Sequence, residues 1–258
     1  MCDNNKFKIT LLQTDIAWNN REANALNAEQ MIAENPGSDL YVLPEMWTTG
    51  FATAPKGIAE NKGEGLDIMK QLAQKTNAAI AGSIATQVDE NDFRNRFYFV
   101  EPDGKTTFYD KHHLFTYGGE HLEYSAGTER VVIDFRGVKF RLIVCYDLRF
   151  PVWCRNTDNY DCIICVASWP TPRIEAWSTL LKARAIENQC FFAGVNRVGT
   201  DPSCEYSGGT ALIDPYGKTI VECERGKQQA ITAILDLEQL YAFRQKFPVL
   251  NDKDCFSL

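Results

Sequence analysis

The stretch FRLIVCYDLRFP (residues 140–151) decides how the fold of this chain is interpreted. It begins as a mostly apolar run typical of a buried strand, which stops at Cys145 and is followed by charged residues and a proline. In open α/β sheets, ligands bind at the carboxyl ends of strands, where the turn lifts side chains out of the core. Free backbone N–H groups after the turn can stabilise a thiolate or an oxyanion. The position suits a nucleophile, although a buried structural cysteine fits it too.

The composition is that of one α/β domain with a large core, because 45% of the 258 residues are hydrophobic. A net charge of -7, a pI near 5.1 and the lack of a basic run argue against a nucleic-acid partner. No segment is apolar enough to span a membrane, and Met1 to Lys8 lacks the features of a secretory signal. The nine cysteines, an odd number without framework spacing, are expected to be free thiols. We therefore expect a cytoplasmic protein in which residues 1–258 form a single domain.

The hydrophobic pattern predicts short strands interrupted by helices. Helices are predicted at 19–35, around 68–73, at 175–189 and at 237–247. Strands are predicted at 7–13, 40–43, 78–86, 96–101, 106–109, 140–144, 162–167, 191–196, 210–213, 219–223 and 230–236. Residues 116–130 are expected to form an irregular loop. Helices that alternate with runs of consecutive strands predict two mixed sheets packed face to face, with the helices outside.

Three ionisable side chains, those of Glu45, Lys111 and Cys145, stand within two residues of the end of a predicted strand. A nucleophilic thiol needs a base, and attack on a carbonyl needs a positive group or N–H donors where the oxyanion develops. A carboxylate, an ammonium and a thiol supply one group for each task. The ammonium would lower the pKa of the thiol and polarise the carbonyl, while the carboxylate would shuttle the proton.

Three segments resemble the Glu-Lys-Cys signature of the nitrilase, or carbon–nitrogen hydrolase, superfamily: LPEMWTTGF (43–51), YDKHHLF (109–115) and VCYDLRFP (144–151). Their order, context and spacing all match, and the resemblance runs from Lys8 to about Phe247. The branch that the chain looks most like is that of the omega-amidases, which hydrolyse the terminal amide of 2-oxoglutaramate and similar α-keto acid amides. The resemblance implies an α/β fold, a four-layer αββα sandwich of two mixed sheets. It also implies a homodimer in which the sheets extend across the two subunits.

The resemblance further implies a role for each group. Cys145 would be the nucleophile, Glu45 the general base, and Lys111 would hold the oxyanion together with the backbone N–H of Tyr146. Glu120, seven residues before a glycine, falls where the family has a second structural or catalytic glutamate. The reactants would be a small-molecule amide and water, joined through a thioester, with no metal and no other cofactor.

Other residues are candidates for the substrate pocket. Three aromatic residues near strand ends are expected either to form its walls or to pack in the core: Phe51, Tyr117 and Trp169. The fork of an arginine suits a substrate carboxylate, and Arg173 is preferred to Arg149 for this contact. Ser168 departs from the family pattern, in which many relatives have Asn before Trp-Pro.

Some of these residues have a simpler structural interpretation. Arg149 is equally explained by an ion pair with Asp147. His112 and His113 could offer a Cys-His dyad, but they cannot both face the site, and local hydrogen bonding is favoured. The CIIC motif at 162–165 lies inside an apolar strand, which favours core packing over a zinc or redox site.

The residues leave three functions open. The leading one is an amidase for small ω-amides of dicarboxylic or α-keto acids. The same three groups could instead act on N-carbamoyl amino acids or nitriles, and a pocket of different shape would decide this. A protein of another class, a non-catalytic scaffold that retains the fold, would have an unreactive Cys145.

Overall fold

The computed structural model describes residues 6–254. Within this range the strands are β1 Lys6–Gln13, β2 Leu40–Val42, β3 Ala79–Asp89, β4 Asp92–Val100, β5 Thr106–Asp110, β6 Val132–Phe135, β7 Val138–Val144, β8 Cys162–Ala167, β9 Phe191–Asn196, β10 Val198–Thr200, β11 Glu205–Ser207, β12 Ala211–Ile213, β13 Thr219–Glu222 and β14 Gln229–Asp236. The α-helices are α1 Arg21–Glu34, α2 Glu64–Thr76, α3 Glu120–Glu123, α4 Pro151–Cys154, α5 Ile174–Asn188 and α6 Leu237–Lys246. Short 3₁₀ turns lie at Thr116–Gly118, Cys145–Arg149, Thr171–Arg173 and Val249–Asp252.

The longer strands form two mixed sheets, with the orders β14-β1-β2-β3-β4-β5 and β13-β12-β9-β8-β7-β6. In the first sheet β1, β2 and β3 are parallel, while β4 is antiparallel to both β3 and β5. In the second sheet β7, β8 and β9 are parallel. Because β5 therefore runs in the direction of β2, the carboxyl ends of these two strands lie at the same edge of the first sheet. The carboxyl ends of β7 and β8 share one edge of the second.

An apolar core fills the space between the two sheets. Phe97 and Phe99 of β4 and Phe140 and Leu142 of β7 are fully buried in it, and the ring centroids of Phe99 and Phe140 are 5.9 Å apart. Such burial stabilises the fold by roughly 25 cal/mol for each Å² of apolar surface removed from water. A second apolar cluster joins α1 and α2 to the outer face of the first sheet, and α5 packs on β9 and β12 of the second. The predicted αββα sandwich of two mixed sheets is confirmed.

Two local predictions differ from the structure. Residues 116–130 are not an irregular loop, because the turn Thr116–Gly118 and the helix Glu120–Glu123 lie in it, joined at Gly119 with a φ of +81°. Each of these elements is about one helical turn long, too short to produce a periodic pattern. The strands β6, β10 and β11, of three or four residues each, were not predicted.

The cysteines and helices of the described residues bear on two further expectations. Seven cysteines are free thiols: Cys145, Cys154, Cys162, Cys165, Cys190, Cys204 and Cys223. Cys2 and Cys255 lie outside the described residues. Between residues 6 and 254, none of the helices combines the length and the apolar character needed to cross a bilayer.

Candidate active site

Glu45 lies just beyond the carboxyl end of β2, on a tight turn. Pro44 precedes it and has no N–H to continue the ladder of the sheet. Met46 follows in the left-handed region, with a φ of +46°, and its N–H donates to Ser83 Oγ at 2.9 Å. The turn therefore directs the Glu45 side chain into the protein, where it is fully buried.

Donors from three different elements hold the Glu45 carboxylate. Oε1 accepts hydrogen bonds from Asn95 Nδ2 at 2.7 Å and from Lys111 Nζ at 2.9 Å. Oε2 accepts the backbone N–H of Ser168 at 2.7 Å. The serine that departs from the family pattern thus contributes through its main chain, and its hydroxyl donates to the Glu45 carbonyl at 3.4 Å.

Lys111, directly after β5, is buried between two carboxylates. Its Nζ lies 2.8 and 3.2 Å from the two oxygens of Glu120, in addition to its contact with Glu45. Burial opposes the charged ammonium, but Glu120 and Glu45 outweigh it and hold the pKa of Lys111 well above its usual value. Burial raises the pKa of Glu120, an effect that Lys111 lessens and Glu45 reinforces. A single ammonium therefore balances two adjacent carboxyl groups.

Cys145 stands where β7 turns sharply into the 3₁₀ turn Cys145–Arg149, and it adopts a φ of +46°. This left-handed conformation is uncommon outside glycine and is found where the surrounding structure imposes it, often at active sites. The backbone N–H of the next residue, Tyr146, is in the first turn of a helical segment, where such groups have no intrahelical partner.

The thiol of Cys145 lies near the Glu45 carboxylate and the Lys111 ammonium, and both charges act on it. Burial raises the pKa of this thiol well above its ordinary value, the negative charge of Glu45 adds to the increase, and Lys111 opposes it. The expectation that the ammonium would lower the pKa of the thiol is correct for that one contribution and wrong for the sum. The resting group is a neutral thiol beside a base, so its proton must leave as it reacts.

Asp147 holds the Cys145 turn together from within. Its carboxylate accepts the backbone N–H of Val144 at 3.0 Å, the hydroxyl of Tyr109 at 2.7 Å and the backbone N–H of His113 at 2.9 Å. Burial would raise its pKa, but the hydrogen bonds from His113, Val144 and Tyr109 prevail and lower it. The Asp147 carboxylate contacts His113, and within residues 6–254 no salt bridge joins it to Arg149, so the sequence-based pairing of Arg149 is wrong.

The two adjacent histidines make local contacts, as expected. Nδ1 of His112 lies 2.6 Å from the carbonyl oxygen of Gly127, and Nδ1 of His113 lies 2.8 Å from Asp147 Oδ1. Neither ring lines the cavity at Cys145. Cys162 and Cys165 of the CIIC motif are fully buried in β8. Among the described residues, no group of three His, Cys, Asp or Glu side chains is arranged to hold a metal ion.

A cavity of about 380 Å³ opens at Cys145. Its lining comes from both sheets and from the loops at their carboxyl edges: Phe51, Thr53, Phe115, Tyr117, Gly118, Cys145, Tyr146, Arg149, Ser168, Trp169, Pro170, Arg173, Ser203, Cys204 and Tyr206. All four residues predicted for the pocket are among them. Lys111 lies immediately behind this wall, with Nζ 5.3 Å from the ring centroid of Phe51.

The cavity is positively charged although the chain is acidic. Its lining contains the two guanidinium groups of Arg149 and Arg173 and, among the described residues, no aspartate or glutamate. Arg149 Cζ lies 4.8 Å from the ring centroid of Trp169, and Arg173 Cζ lies 5.3 Å from that of Phe115. Within residues 6–254 neither guanidinium forms a salt bridge, so both are available to an anionic ligand. Sequence reasoning preferred Arg173, whereas the structure places both arginines at the cavity.

Two features of the site were missed by sequence reasoning. Asn95, on β4, contacts the carboxylates of both Glu45 and Glu120. It is a buried amide at an inward position between Phe93 and Phe97, and this polar interruption of an apolar face was the signal available in the sequence. The contacts of Asp147 with Tyr109 and His113 left no local signal, because their partners are 34 or more residues apart.

Comparisons with known proteins agree with this geometry. The family model described as carbon–nitrogen hydrolase matches residues 8–245. The chain is 44% identical over 253 residues to omega-amidase YafV of Escherichia coli strain K12, covering 98% of each chain. It is 37% identical over 254 residues to the 2-oxoglutaramate amidase of Bacillus subtilis strain 168, covering 96% of this chain and 97% of that one. The crystal structure of XC1258 from Xanthomonas campestris, a CN-hydrolase superfamily protein with an arsenic adduct in its active site, superposes with a TM-score of 0.95 at 39% identity, covering 98% of this chain and 99% of that one.

The chain belongs to the carbon–nitrogen hydrolase family, also called the nitrilase superfamily, and it is an enzyme of the amidase type. Within the family it lies in the omega-amidase branch. Both the superfamily and the branch inferred from the three sequence segments are confirmed.

Proposed function

We propose that this enzyme hydrolyses the terminal amide of small ω-amides of α-keto or dicarboxylic acids, such as 2-oxoglutaramate and succinamate, through a thioester on Cys145. The observation that carries the proposal is a thiol, that of Cys145, which lines a cavity with two unpaired arginines and lies near the hydrogen-bonded pair of Glu45 and Lys111. The thiol, the carboxylate and the ammonium match the needs of attack on an amide carbonyl. The arginines match the carboxylate at the other end of such a substrate.

In the first half of the reaction, Glu45 takes the proton of Cys145 and the sulfur attacks the amide carbon. The electron pair of the carbonyl moves to its oxygen, where the Lys111 ammonium and the backbone N–H of Tyr146 stabilise the negative charge. The oxyanion then collapses, the C–N bond breaks, and Glu45 returns its proton to the nitrogen, which leaves as ammonia. The acyl group remains on sulfur as a thioester.

In the second half, a water molecule occupies the place of ammonia. Glu45 takes one of its protons, and the oxygen attacks the thioester carbon. The C–S bond breaks as the second oxyanion collapses, and the Cys145 sulfur regains its proton from Glu45. Glu120 keeps Lys111 charged through both halves, because it lies 2.8 Å from Nζ and makes no other ion pair within residues 6–254.

A reactive sulfur receives support from a relative. Arsenic bonds readily to thiolate sulfur, a soft ligand, and an arsenic adduct is described in the active site of the XC1258 protein. The names of the relatives from Escherichia coli and Bacillus subtilis, omega-amidase and 2-oxoglutaramate amidase, support the substrate class.

N-carbamoyl amino acids are the second candidate substrates, because they too carry a carboxylate that could meet Arg149 and Arg173. Simple nitriles carry none and leave both guanidinium groups without a partner. Ammonia release from 2-oxoglutaramate, succinamate, an N-carbamoyl amino acid and a neutral nitrile therefore tests the proposal. We expect turnover of the first two substrates, and its absence with both would refute the substrate class.

The nucleophile is tested with two matched thiol variants. Cys145→Ala should release no ammonia, whereas Cys204→Ala, which removes the other thiol of the same cavity, should keep its activity. Residual activity of a few per cent in Cys145→Ala would refute the assignment. If the protein were a non-catalytic scaffold, iodoacetamide would label Cys145 no faster than the other cysteines, as peptide mass spectrometry would reveal.

We also propose that the enzyme is a homodimer that joins through α5, α6 and the β12–β13 turn. Ile186, Tyr216 and Phe247 are 52%, 54% and 60% exposed, and Phe243 lies between the last two, with ring centroids 4.1 Å from Tyr216 and 6.3 Å from Phe247. A contiguous apolar patch of this kind is typical of a protein–protein interface. Light scattering should give twice the mass of the chain, and Ile186→Asp should reduce it to that of a monomer.

The cytoplasmic location and the single domain of residues 1–258 also remain proposals. The seven free thiols of the described residues support a reducing compartment.

A further inference from the structure

Asn95 is a neutral side chain placed between the two acidic groups of the site. It lies on β4, where Lys111 is its neighbour through a hydrogen bond from the Lys111 N–H to the Asn95 carbonyl at 3.0 Å. The side chain is 1% exposed, and an amide buried in this way is costly unless it is hydrogen-bonded.

The amide nitrogen of Asn95 contacts the same two oxygens as the Lys111 ammonium. Asn95 Nδ2 lies 2.7 Å from Glu45 Oε1 and 3.1 Å from Glu120 Oε1, and Lys111 Nζ lies 2.9 and 3.2 Å from those atoms. Among the described residues, Asn95 Oδ1 has no hydrogen-bond partner. The opposite orientation of the amide would bring a third acceptor against two carboxylate oxygens, so the nitrogen must face them.

The charges of the site explain why a neutral donor is needed there. Two carboxylates and one ammonium leave a net charge of -1 in a buried space, and a second ammonium would make the Glu45 carboxylate less basic and so less able to take the proton of Cys145. An amide supplies two N–H groups, one for each carboxylate, and adds no charge. Since Lys111 and Asn95 both occupy Glu45 Oε1, Oε2 has only the Ser168 N–H and keeps a lone pair for a proton.

We propose that Asn95 is a positioning residue, which holds the Glu45 and Glu120 carboxylates side by side in their ionised form so that Glu45 is ready to accept the proton of Cys145. The role rests on the proposed function, since it concerns the same base. The other titratable groups that face the pair are Lys111 and the hydroxyl of Tyr124, which is buried and donates to the Ala52 carbonyl at 2.7 Å.

Loss of a hydrogen bond to a carboxylate disfavours its charged form and raises its pKa. In Asn95→Ala the acidic limb of the pH–rate profile should therefore move upward by about one pH unit, and kcat at neutral pH should fall by roughly tenfold to a hundredfold. KM should change little, because Asn95 does not line the cavity. Asn95→Ser, whose hydroxyl can donate one hydrogen bond instead of two, should give a smaller shift in the same direction.

Asn156→Ala is the matched control. Asn156 is also fully buried, and its Nδ2 also bridges two acceptors, the carbonyls of Tyr160 at 3.0 Å and Asn188 at 3.1 Å. It should lower the melting temperature without moving the acidic limb. A merely structural Asn95 would behave in the same way.

The pH dependence of Cys145 alkylation by iodoacetamide gives a readout that needs no substrate. The alkylation rate should fall in acid, and the fall should begin at higher pH in both Asn95 variants. The role of Asn95 would be overturned if the acidic limb stayed in place in both Asn95→Ser and Asn95→Ala. It would also be overturned if these variants raised KM at constant kcat. If the acidic limb of the alkylation profile moves in the Asn95 variants but the enzyme turns over none of the amides, the role of Asn95 stands and the proposed substrates are refuted.

Discussion

Replacing Lys111 with methionine tests the charge balance behind the cavity. Methionine keeps the length of the side chain and removes the ammonium that lies 2.9 Å from Glu45 and 2.8 Å from Glu120. At an effective dielectric constant near 20, each pair contributes roughly 6 kcal/mol of Coulomb attraction, most of which offsets the desolvation of the three groups. Removing one partner of a buried ion pair typically lowers the free energy of unfolding by about 3–5 kcal/mol. For a chain of this size that corresponds to a melting temperature about 6–20 °C lower.

The loss of stability should depend on pH with a definite sign. In the unfolded chain a glutamate titrates near 4.5, and in folded Lys111→Met burial and mutual repulsion raise the pKa of Glu120 further above that value. Because the folded variant holds the protonated form, its stability is retained in acid and falls as the pH rises through the raised pKa. Calorimetry should therefore show that the melting temperature of Lys111→Met is slightly below that of wild type at about pH 5 and far below it at about pH 8.

Two further variants make the test specific. Adding Glu120→Gln to Lys111→Met removes one of the unpaired charges and should restore roughly half of the lost stability. Lys105→Met breaks an exposed ion pair with Glu101, 2.6 Å long, and should leave the melting temperature nearly unchanged. Equal melting temperatures for wild type and Lys111→Met at about pH 8, or no rescue by Glu120→Gln, would refute the assigned charge balance.

The remaining predictions concern the turn at Cys145, the loop before it and the cavity. Asp147→Asn should lower the free energy of unfolding at neutral pH by about 1–3 kcal/mol. This difference should shrink as the pH falls through the lowered pKa of Asp147, where wild type loses the same carboxylate, and urea unfolding at several pH values measures it. Gly127→Ala would place a Cβ 2.2 Å from the Asp110 carbonyl oxygen, and we expect a loss of about 1–3 kcal/mol or more, measured by thermal unfolding; an unchanged melting temperature would contradict the close approach. Arg149→Gln and Arg173→Gln should each raise KM for 2-oxoglutaramate by roughly tenfold to a hundredfold and leave KM for a neutral amide unchanged. Steady-state kinetics with both substrates measures this, and equal changes in the two KM values would indicate that the arginine is only structural.

The strands and the turns at their ends could be predicted from local pattern. The apolar run of β8 is buried on both faces, so it is continuous in the sequence, and both β7 and β8 stop where a polar or special residue begins. Cys145 and Glu45 stand at such ends, so the local sequence pattern is enough to predict them as candidate catalytic residues. The helices of residues 116–123 escaped prediction because each is only about one turn long, and a contact from a distant strand, Asn95 Nδ2 to Glu120 Oε1 at 3.1 Å, helps to hold the second one.

The sequence by itself determined the positions of most strands, two mixed sheets with helices outside and the types of reactive group, because these depend on residue type and on spacing along the chain. Only the tertiary structure decided how the groups are balanced: Glu45 meets Asn95 across 50 residues and Ser168 across 123. Burial then raised the pKa of Cys145, which had been expected to fall, and the fold placed both Arg149 and Arg173 in the lining of one cavity. Charge interaction and desolvation depend on distance and on exclusion of water, and neither can be read from positions along a chain.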